Sequence, residues 1–142
     1  MADDHVARAS TNIRASAAAI WDALTTPEKI KQYMFGTTVT SDFREGSPIT
    51  WKGEWEGRPY EDKGEILKAI PNRRLQYTHF SPLAGLPDQP ENYHTVTVDL
   101  AEKDGETAVS LAQNNNPTDE ARQHSEKNWS MMLEGLKKML EK

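Results

Sequence analysis

Residues 16–30, SAAAIWDALTTPEKI, predict two short consecutive helices and so decide the fold. Ser16 is a good N-cap, because its hydroxyl can accept a hydrogen bond from an unpaired backbone N–H, and the alanines after it favour helix. Thr26 is predicted to cap a second helix with Pro27 in its first turn. Gly36 is predicted to end that helix.

Residues 116–142, NPTDEARQHSEKNWSMMLEGLKKMLEK, predict one long amphipathic helix. Asn116 is predicted as its N-cap and Pro117 as its first helical residue. Trp129 and Leu133 share its apolar face, and lysines near its end suit the helix dipole. A helix of this length must bury its apolar face against another layer of the fold.

Between these helices, apolar residues alternate with a period of two, which predicts strands joined by short turns. The strand-like segments are residues 6–13, 39–43, 49–55, 60–70, 75–80, 96–100 and 109–111. Gly64 is predicted as a bulge or bend. Strands joined by short turns pair antiparallel. We therefore expect one α+β domain over residues 1–142, with a curved antiparallel sheet of about seven strands around the C-terminal helix.

Composition and charge exclude several classes of function. The chain has no cysteine, so disulfides, thiolate nucleophiles and cysteine-based zinc sites are excluded. Its net charge is -5, and without a basic face we expect no nucleic-acid partner. Without a signal-peptide pattern or a membrane-length apolar run, we expect a cytoplasmic protein and no membrane partner. The four histidines match no metal-ligand spacing, and no nucleotide-binding motif is present, so we expect no metal or cofactor.

Aromatic residues on the predicted inner faces mark a candidate pocket between the sheet and the C-terminal helix. Such pockets combine apolar walls with a few polar groups. His79 and Gln113 are predicted to orient a polar group of the ligand. The full set of predicted ligand-binding residues is Trp51, Trp55, Tyr77, His79, Val96, Val98, Leu111, Gln113, Trp129 and Leu133.

Two interpretations of these residues stay open, because large aromatic rings either line a pocket or fill an ordinary core. Histidine can act as a general acid or base near neutral pH, which makes His79 and His94 candidates. No nucleophile or partner acid stands at a diagnostic spacing from them, so no catalytic residue is assigned. The acidic stretch over residues 54–65 is interpreted as a solvated strand edge. The loop over residues 81–92 is either a lid or a packed surface loop.

Several local motifs, taken in order, resemble a known family. They are IWDALT (20–25) with Pro27, GEI (64–66), RLQYT (74–78), TVTV (95–98) and NW (128–129). This set resembles the START/Bet v 1-like (SRPBCC) superfamily, in the branch named after the activator of Hsp90 ATPase homologue 1. THFSP (78–82) and ENYH (91–94) resemble its bacterial stand-alone subgroup. The resemblance covers about residues 8–141, and it implies a helix-grip fold with a cavity between sheet and helix.

Three functions follow from the residues and the resemblance. We favour binding of a small hydrophobic or amphipathic molecule in the cavity, without obligatory chemistry. A co-chaperone-like or stress-response module that binds a protein partner is the second, and an exposed apolar patch would favour it. The third is a cyclase- or hydratase-type enzyme, which needs a second titratable group beside His79. The eukaryotic co-chaperones of this name carry an additional N-terminal domain for which 142 residues leave no room, so direct Hsp90 activation is not expected. Ligand identity and oligomeric state stay open.

Overall fold

A computed structural model describes residues 5–34, 36–55, 57–82, 85 and 87–141. Over these residues, a first strand is followed by two short helices, six further strands and a long helix. The elements are β1 (Ala7–Ile13), α1 (Ala17–Thr25), α2 (Pro27–Tyr33), β2 (Thr38–Ser41), β3 (Pro48–Trp55), β4 (Arg58–Ile70), β5 (Arg74–His79), β6 (His94–Lys103), β7 (Glu106–Gln113) and α3 (Asp119–Leu140).

The strands form one antiparallel sheet in the order β1-β7-β6-β5-β4-β3-β2. Strands β2 to β7 each pair with their neighbours in sequence, and a longer loop joins β5 to β6. The sheet is completed by a long-range pairing of β1 with β7, which runs from Ala7 opposite Gln113 to Ile13 opposite Thr107. The α+β helix-grip prediction is confirmed, with two short helices after the first strand and the long helix at the end of the chain.

Both predicted N-caps of the short helix pair are confirmed by position. The Ser16 hydroxyl accepts a hydrogen bond from the Ala19 N–H at 3.1 Å. Thr26 is the N-cap residue of the second helix with Pro27 as its first residue, as predicted, although the Thr26 hydroxyl donates to Asp22 Oδ1 at 3.0 Å and caps no backbone N–H. Gly36 terminates the second helix as predicted, with φ at +80° and its N–H donating to a carbonyl of the last turn.

The start of α3 differs from the prediction. Its N-cap is Thr118, whose hydroxyl accepts a backbone N–H of the first turn at 3.0 Å. Asn116 is buried instead, and its side-chain amide donates to the carbonyls of His5 at 2.7 Å and Gln113 at 3.1 Å. Its amide oxygen accepts from the Ser125 hydroxyl at 3.0 Å. Asn116 therefore ties the segment before β1, the end of β7 and α3 together.

Strand β4 is irregular two residues beyond the predicted position. Gly64 is predicted as a bulge or a bend; the register between β4 and β5 shifts between Ile66 and Lys68, so the bulge alternative is wrong for Gly64 itself. Gly64 is required for a different reason. A Cβ atom on it would lie 1.8 Å from the carbonyl oxygen of Thr78 on β5. The glycine thus permits a backbone approach between β4 and β5 that a side chain would prevent.

The long helix covers both the core and one sheet edge. Leu133 and Leu136 of α3 are 2% and 0% exposed in the core. Along the free edge of β1, Glu126 and Glu141 accept hydrogen bonds from the backbone N–H groups of Arg8 and Arg14, at 3.0 and 2.8 Å. These contacts satisfy edge groups that would otherwise be open to pairing with another chain.

Candidate functional site

A cavity of about 80 Å³ lies among β3, β4, β5, α3 and the segment after α2. Pockets for drug-sized ligands measure about 300–1,000 Å³, so this volume has room for a small head group and not for a whole drug-sized ligand. The residues around it are Met34, Thr37, Trp51, Tyr60, Asp62, Tyr77, His79 and Trp129. Four of the residues predicted from the sequence, Trp51, Tyr77, His79 and Trp129, thus meet at one cavity.

A second cavity, of about 30 Å³ and almost entirely apolar, shares Trp51 and Tyr77 with the first. It is walled by side chains of α1, α2, α3 and the inner sheet face, including Val98. The two cavities are therefore adjacent, and the shared rings of Trp51 and Tyr77 form a tilted pair with centroids 5.3 Å apart.

The chemistry of the larger cavity centres on an Asp62–His79 pair. His79 Nε2 lies 2.9 Å from Asp62 Oδ2, and the two side chains are 27% and 14% exposed. The second carboxylate oxygen, Oδ1, is buried, and no described residue donates a hydrogen bond to it. A buried acceptor without a partner costs about 1–3 kcal/mol. The folded protein therefore keeps a destabilising, unpaired hydrogen-bond acceptor at the cavity.

The acidic stretch was predicted as a solvated edge, and that is wrong for Asp62. Asp62 pairs with Trp51 across β3 and β4, so its side chain lies on the inner face with that ring. Period-two alternation from the buried Ile66 back through Gly64 to Asp62 was the signal in the sequence. Glu56 lies outside the described residues. The acids that are exposed as predicted are Glu54, Glu61 and Glu65.

Two rings fix the orientation of His79. Trp51 contacts it edge-on, with ring centroids 5.0 Å apart and an interplanar angle of 68°. His94, opposite it on β6, stacks on it at 6.1 Å. His94 donates from Nδ1 to the carbonyl of Asn114 at 2.9 Å. Burial lowers the pKa of His94, so it supports His79 as a neutral ring at neutral pH.

Gln113 fixes the position of Trp129, the α3 residue in the cavity wall. The indole N–H of Trp129 donates to Gln113 Oε1, and Gln113 is only 7% exposed. The amide oxygen predicted to orient a ligand is thus engaged by Trp129. This hydrogen bond fixes the indole ring against the cavity, since a buried Trp N–H generally requires an acceptor.

Two tyrosines complete the wall. The hydroxyls of Tyr60 and Thr37 are hydrogen-bonded at 2.8 Å. Tyr60 lies over Gly53, where a Cβ atom would be 2.7 Å from its hydroxyl oxygen. The Tyr77 hydroxyl makes no hydrogen bond to any described residue. Burial raises the pKa of Tyr77, so its hydroxyl stays protonated and available to donate or accept.

The remaining predicted residues lie away from this polar end. Val96, Leu111 and Leu133 are 1%, 2% and 2% exposed and belong to the packed core. The side chain of Trp55 lies outside the described residues. Val96, Leu111 and Leu133 line neither of the two cavities.

The described part of the loop between β5 and β6 is packed onto the protein. Asp88 forms an ion pair with Lys63 and accepts a hydrogen bond from the Tyr93 hydroxyl at 2.5 Å. The Tyr93 ring stacks on Phe80 at 5.1 Å. Asn115 donates from its side-chain amide to the carbonyl of Glu91, within the short 3-10 turn Pro90–Asn92, and to that of Tyr93, directly after it. These contacts favour the packed-loop interpretation over the lid.

A curved antiparallel sheet closed by a long C-terminal helix, with a polar cavity between them, places this protein among the helix-grip proteins. The family model described as activator of Hsp90 ATPase homolog 1-like protein matches residues 14–141. The chain belongs to that family, and the predicted membership is confirmed. A search of curated proteins gave no significant match.

Solved structures agree with this assignment. The solution structure of ChR145 from Cytophaga hutchinsonii is 55% identical, with a TM-score of 0.87, and 99% of this chain aligns with 97% of that one. The Aha1 dimer from Colwellia psychrerythraea is 24% identical, with a TM-score of 0.74 and 96% of each chain aligned. DynU16, from the dynemicin biosynthetic locus, is 17% identical over 99% of this chain and 48% of its own, with a TM-score of 0.80. The last two likenesses show the fold alone.

No helix in the described part of the chain has both the length and the apolar character needed to cross a membrane. The large hydrophobic side chains that are exposed in that part are Leu67, Ile70 and Met131, on β4 and α3. They are few and belong to two elements, so they do not favour a protein-interaction patch.

Proposed function

We propose that this protein binds a small amphipathic molecule at the Asp62–His79 end of the space between sheet and helix. The observation that carries the proposal is the buried Asp62 Oδ1, which has no hydrogen-bond donor within the described residues although Asp62 lines a cavity. Buried polar groups in folded proteins are nearly always hydrogen-bonded, so a ligand or ordered water is expected to serve this oxygen.

The rest of the cavity supports an amphipathic ligand. The rings of Trp51, Tyr77 and Trp129 provide apolar walls beside the Asp62 carboxylate. The adjacent apolar cavity of about 30 Å³, which shares Trp51 and Tyr77 as lining residues, offers room for a small apolar group if these rings move slightly. A ligand with a polar head and a short apolar body therefore fits the chemistry of both cavities.

An NMR titration tests this proposal directly. The labelled protein is titrated with linear alcohols, carboxylic acids and amines of four to eight carbons, while amide and indole signals are followed. We expect saturable shifts of the Trp51 and Trp129 indole signals and of His79. Trp21 does not line either cavity and is the internal control. Shifts confined to surface residues, or none with any compound, would overturn the proposal.

A matched pair of variants strengthens the test. Trp129→Phe keeps an aromatic ring but reduces the cavity wall, and we expect it to weaken binding severalfold. Trp21→Phe makes the same chemical change on α1 and should leave the affinity unchanged. Equal affinities of the two variants would show that the bound molecule does not contact Trp129.

A second candidate function is acid–base catalysis of the cyclase or hydratase type. The Asp62–His79 pair favours it, because Asp62 is the second titratable group that this function needs. A carboxylate bonded to one imidazole nitrogen orients the ring and stabilises the imidazolium formed when the ring accepts a proton. In this function, His79 takes a proton from a carbon next to a carbonyl group of the bound substrate.

Hydrogen–deuterium exchange tests this second function. The α-protons of a small ketone such as 2-hexanone are followed by NMR in D₂O with catalytic amounts of protein. Enzymatic exchange should be accelerated by the parent protein and lost in His79→Gln, while His124→Gln, on the exposed side of α3, should leave it unchanged. Equal exchange rates for the parent and His79→Gln would exclude His79 as the base.

A further inference from the structure

We infer that the ligand of this cavity is a cation, a primary or secondary alkylammonium whose N–H donates to Asp62 Oδ1. This inference rests on the proposed function and names the class of its ligand. It is carried by a carboxylate and four aromatic rings that meet around one small cavity.

The carboxylate demands a donor. Asp62 Oδ2 is bonded to His79, whereas Oδ1 is buried without any donor among the described residues. The eight described residues around the cavity include no lysine or arginine, so none of them supplies a cation to this oxygen. A charged N–H donor forms a shorter and stronger hydrogen bond to a carboxylate than a neutral donor does. An ammonium group is therefore a stronger hydrogen-bond donor to the unpaired oxygen than an alcohol is.

The aromatic rings suit the same charge. Trp51, Tyr60, Tyr77 and Trp129 line the cavity with Asp62. The face of an aromatic ring attracts a cation within about 6 Å of its centroid, and tryptophan does so most strongly. Rings grouped around one cavity form the type of cage that recognises alkylammonium groups, and a carboxylate anion in the ligand would be repelled by both rings and Asp62.

The volume of the cavity and the number of N–H donors restrict which ammonium compounds fit. The cavity of about 80 Å³ admits an ammonium group and the first carbons of its chain. A quaternary ammonium has no N–H and leaves Asp62 Oδ1 unpaired, so the geometry favours primary and secondary amines. The net charge of -5 favours the approach of cations to the protein as a whole.

The test compares probes of equal length on the parent protein. The dissociation constants of n-butylammonium, 1-butanol and butyrate are measured by NMR at about pH 8, above the ordinary range of histidine titration. We expect n-butylammonium to bind at least about tenfold more tightly than 1-butanol, and butyrate to bind more weakly than either. Trimethylbutylammonium should bind more weakly than n-butylammonium, and equal affinity of these two cations would overturn the N–H donor requirement.

Two variants test whether Asp62 causes the preference for the ammonium probe. Asp62→Asn should reduce the affinity for n-butylammonium at least about tenfold and reduce that for 1-butanol little. Glu61→Gln removes the same charge from the neighbouring, exposed side chain and should leave both affinities unchanged. An equal loss in the two variants would indicate general attraction by negative charge and would overturn the site. If Asp62→Asn does not fold, the affinities of the probes for the parent protein still test the inference.

The outcomes separate this inference from the function on which it rests. If 1-butanol binds at Trp51 and Trp129 as tightly as n-butylammonium, the cavity is a ligand site and the cation class is wrong. If none of the probes or their longer homologues shifts the signals of Trp51, His79 and Trp129, the proposed function itself is wrong. Tight binding of n-butylammonium with loss in Asp62→Asn alone supports both.

Discussion

Gly64→Ala should strongly destabilise the protein, because it forces a side chain into the closest approach between β4 and β5. The added Cβ would lie 1.8 Å from the carbonyl oxygen of Thr78 and 2.6 Å from its carbonyl carbon, where ordinary contacts begin at 3.4 Å. Both atoms belong to the backbone, so no side-chain rotation relieves the clash. The two strands must separate locally.

The hydrogen bonds at this position set the magnitude. Separation breaks the reciprocal backbone pair between Lys63 and Phe80, at 3.0 and 2.8 Å, and the bond from the Glu65 N–H to the Thr78 hydroxyl at 2.9 Å. At about 1 kcal/mol for each bond, the free energy of unfolding should fall by about 3 kcal/mol. His79 follows Thr78, so the Asp62–His79 contact should loosen as well.

Urea denaturation followed by tryptophan fluorescence measures the effect. Gly135→Ala, in α3, is the control, since its added Cβ would meet Tyr33 Cβ at an ordinary 3.4 Å. Alanine is favoured over glycine inside a helix by about 1 kcal/mol, so this variant should be slightly more stable than the parent. The reasoning is refuted if Gly64→Ala unfolds at the urea midpoint of the parent, or if both alanine variants shift the midpoint in the same direction.

Three further changes test particular contacts. Thr118→Ala should lower the free energy of unfolding by about 1 kcal/mol by removing the α3 cap, whereas Thr40→Ala, at an exposed position of β2, should have a smaller effect in the same urea assay. Trp129→Phe should lower the free energy of unfolding by about 1–3 kcal/mol, because Gln113 Oε1 loses its hydrogen-bond donor in a buried site. An unchanged free energy of unfolding would show that this hydrogen bond does not stabilise the protein. Burial lowers the pKa of His94 below its ordinary 6.5, so protonation opposes folding and stability should fall as the pH falls below about 6.5. His94→Gln should flatten that pH dependence between about pH 7 and pH 5, and an unchanged slope would contradict the assignment.

The fold could be predicted largely because its signals are local. The Ser16 cap, the Gly36 terminus and the strand alternation each depend on residues close in sequence, and the structure confirms them. Asn116 shows the limit of such reasoning. Its local pattern suits a helix cap, but its amide bonds the carbonyl of His5, far away in the chain, and Thr118 caps the helix instead.

The candidate site was less predictable, because it depends on the pairing register of the strands and on the distance between α3 and the sheet. Alternation was enough to bring Trp51, Tyr77 and His79 to one face. Asp62 was missed, since it stands among exposed acids and its inward position follows from its pairing with Trp51. The size of the cavity depends on how far α3 stands from the sheet. A sequence pattern does not specify that distance, because side-chain packing sets it.

Intermolecular nuclear Overhauser effects between the protein and saturating n-hexylammonium or 1-hexanol test the central claim most directly. If the space between sheet and helix is a ligand site, the chain protons of at least one probe should contact the rings of Trp51, Tyr77 and Trp129. The claim is contradicted if, at saturation, both probes contact only exposed side chains such as Leu67, Ile70 and Met131.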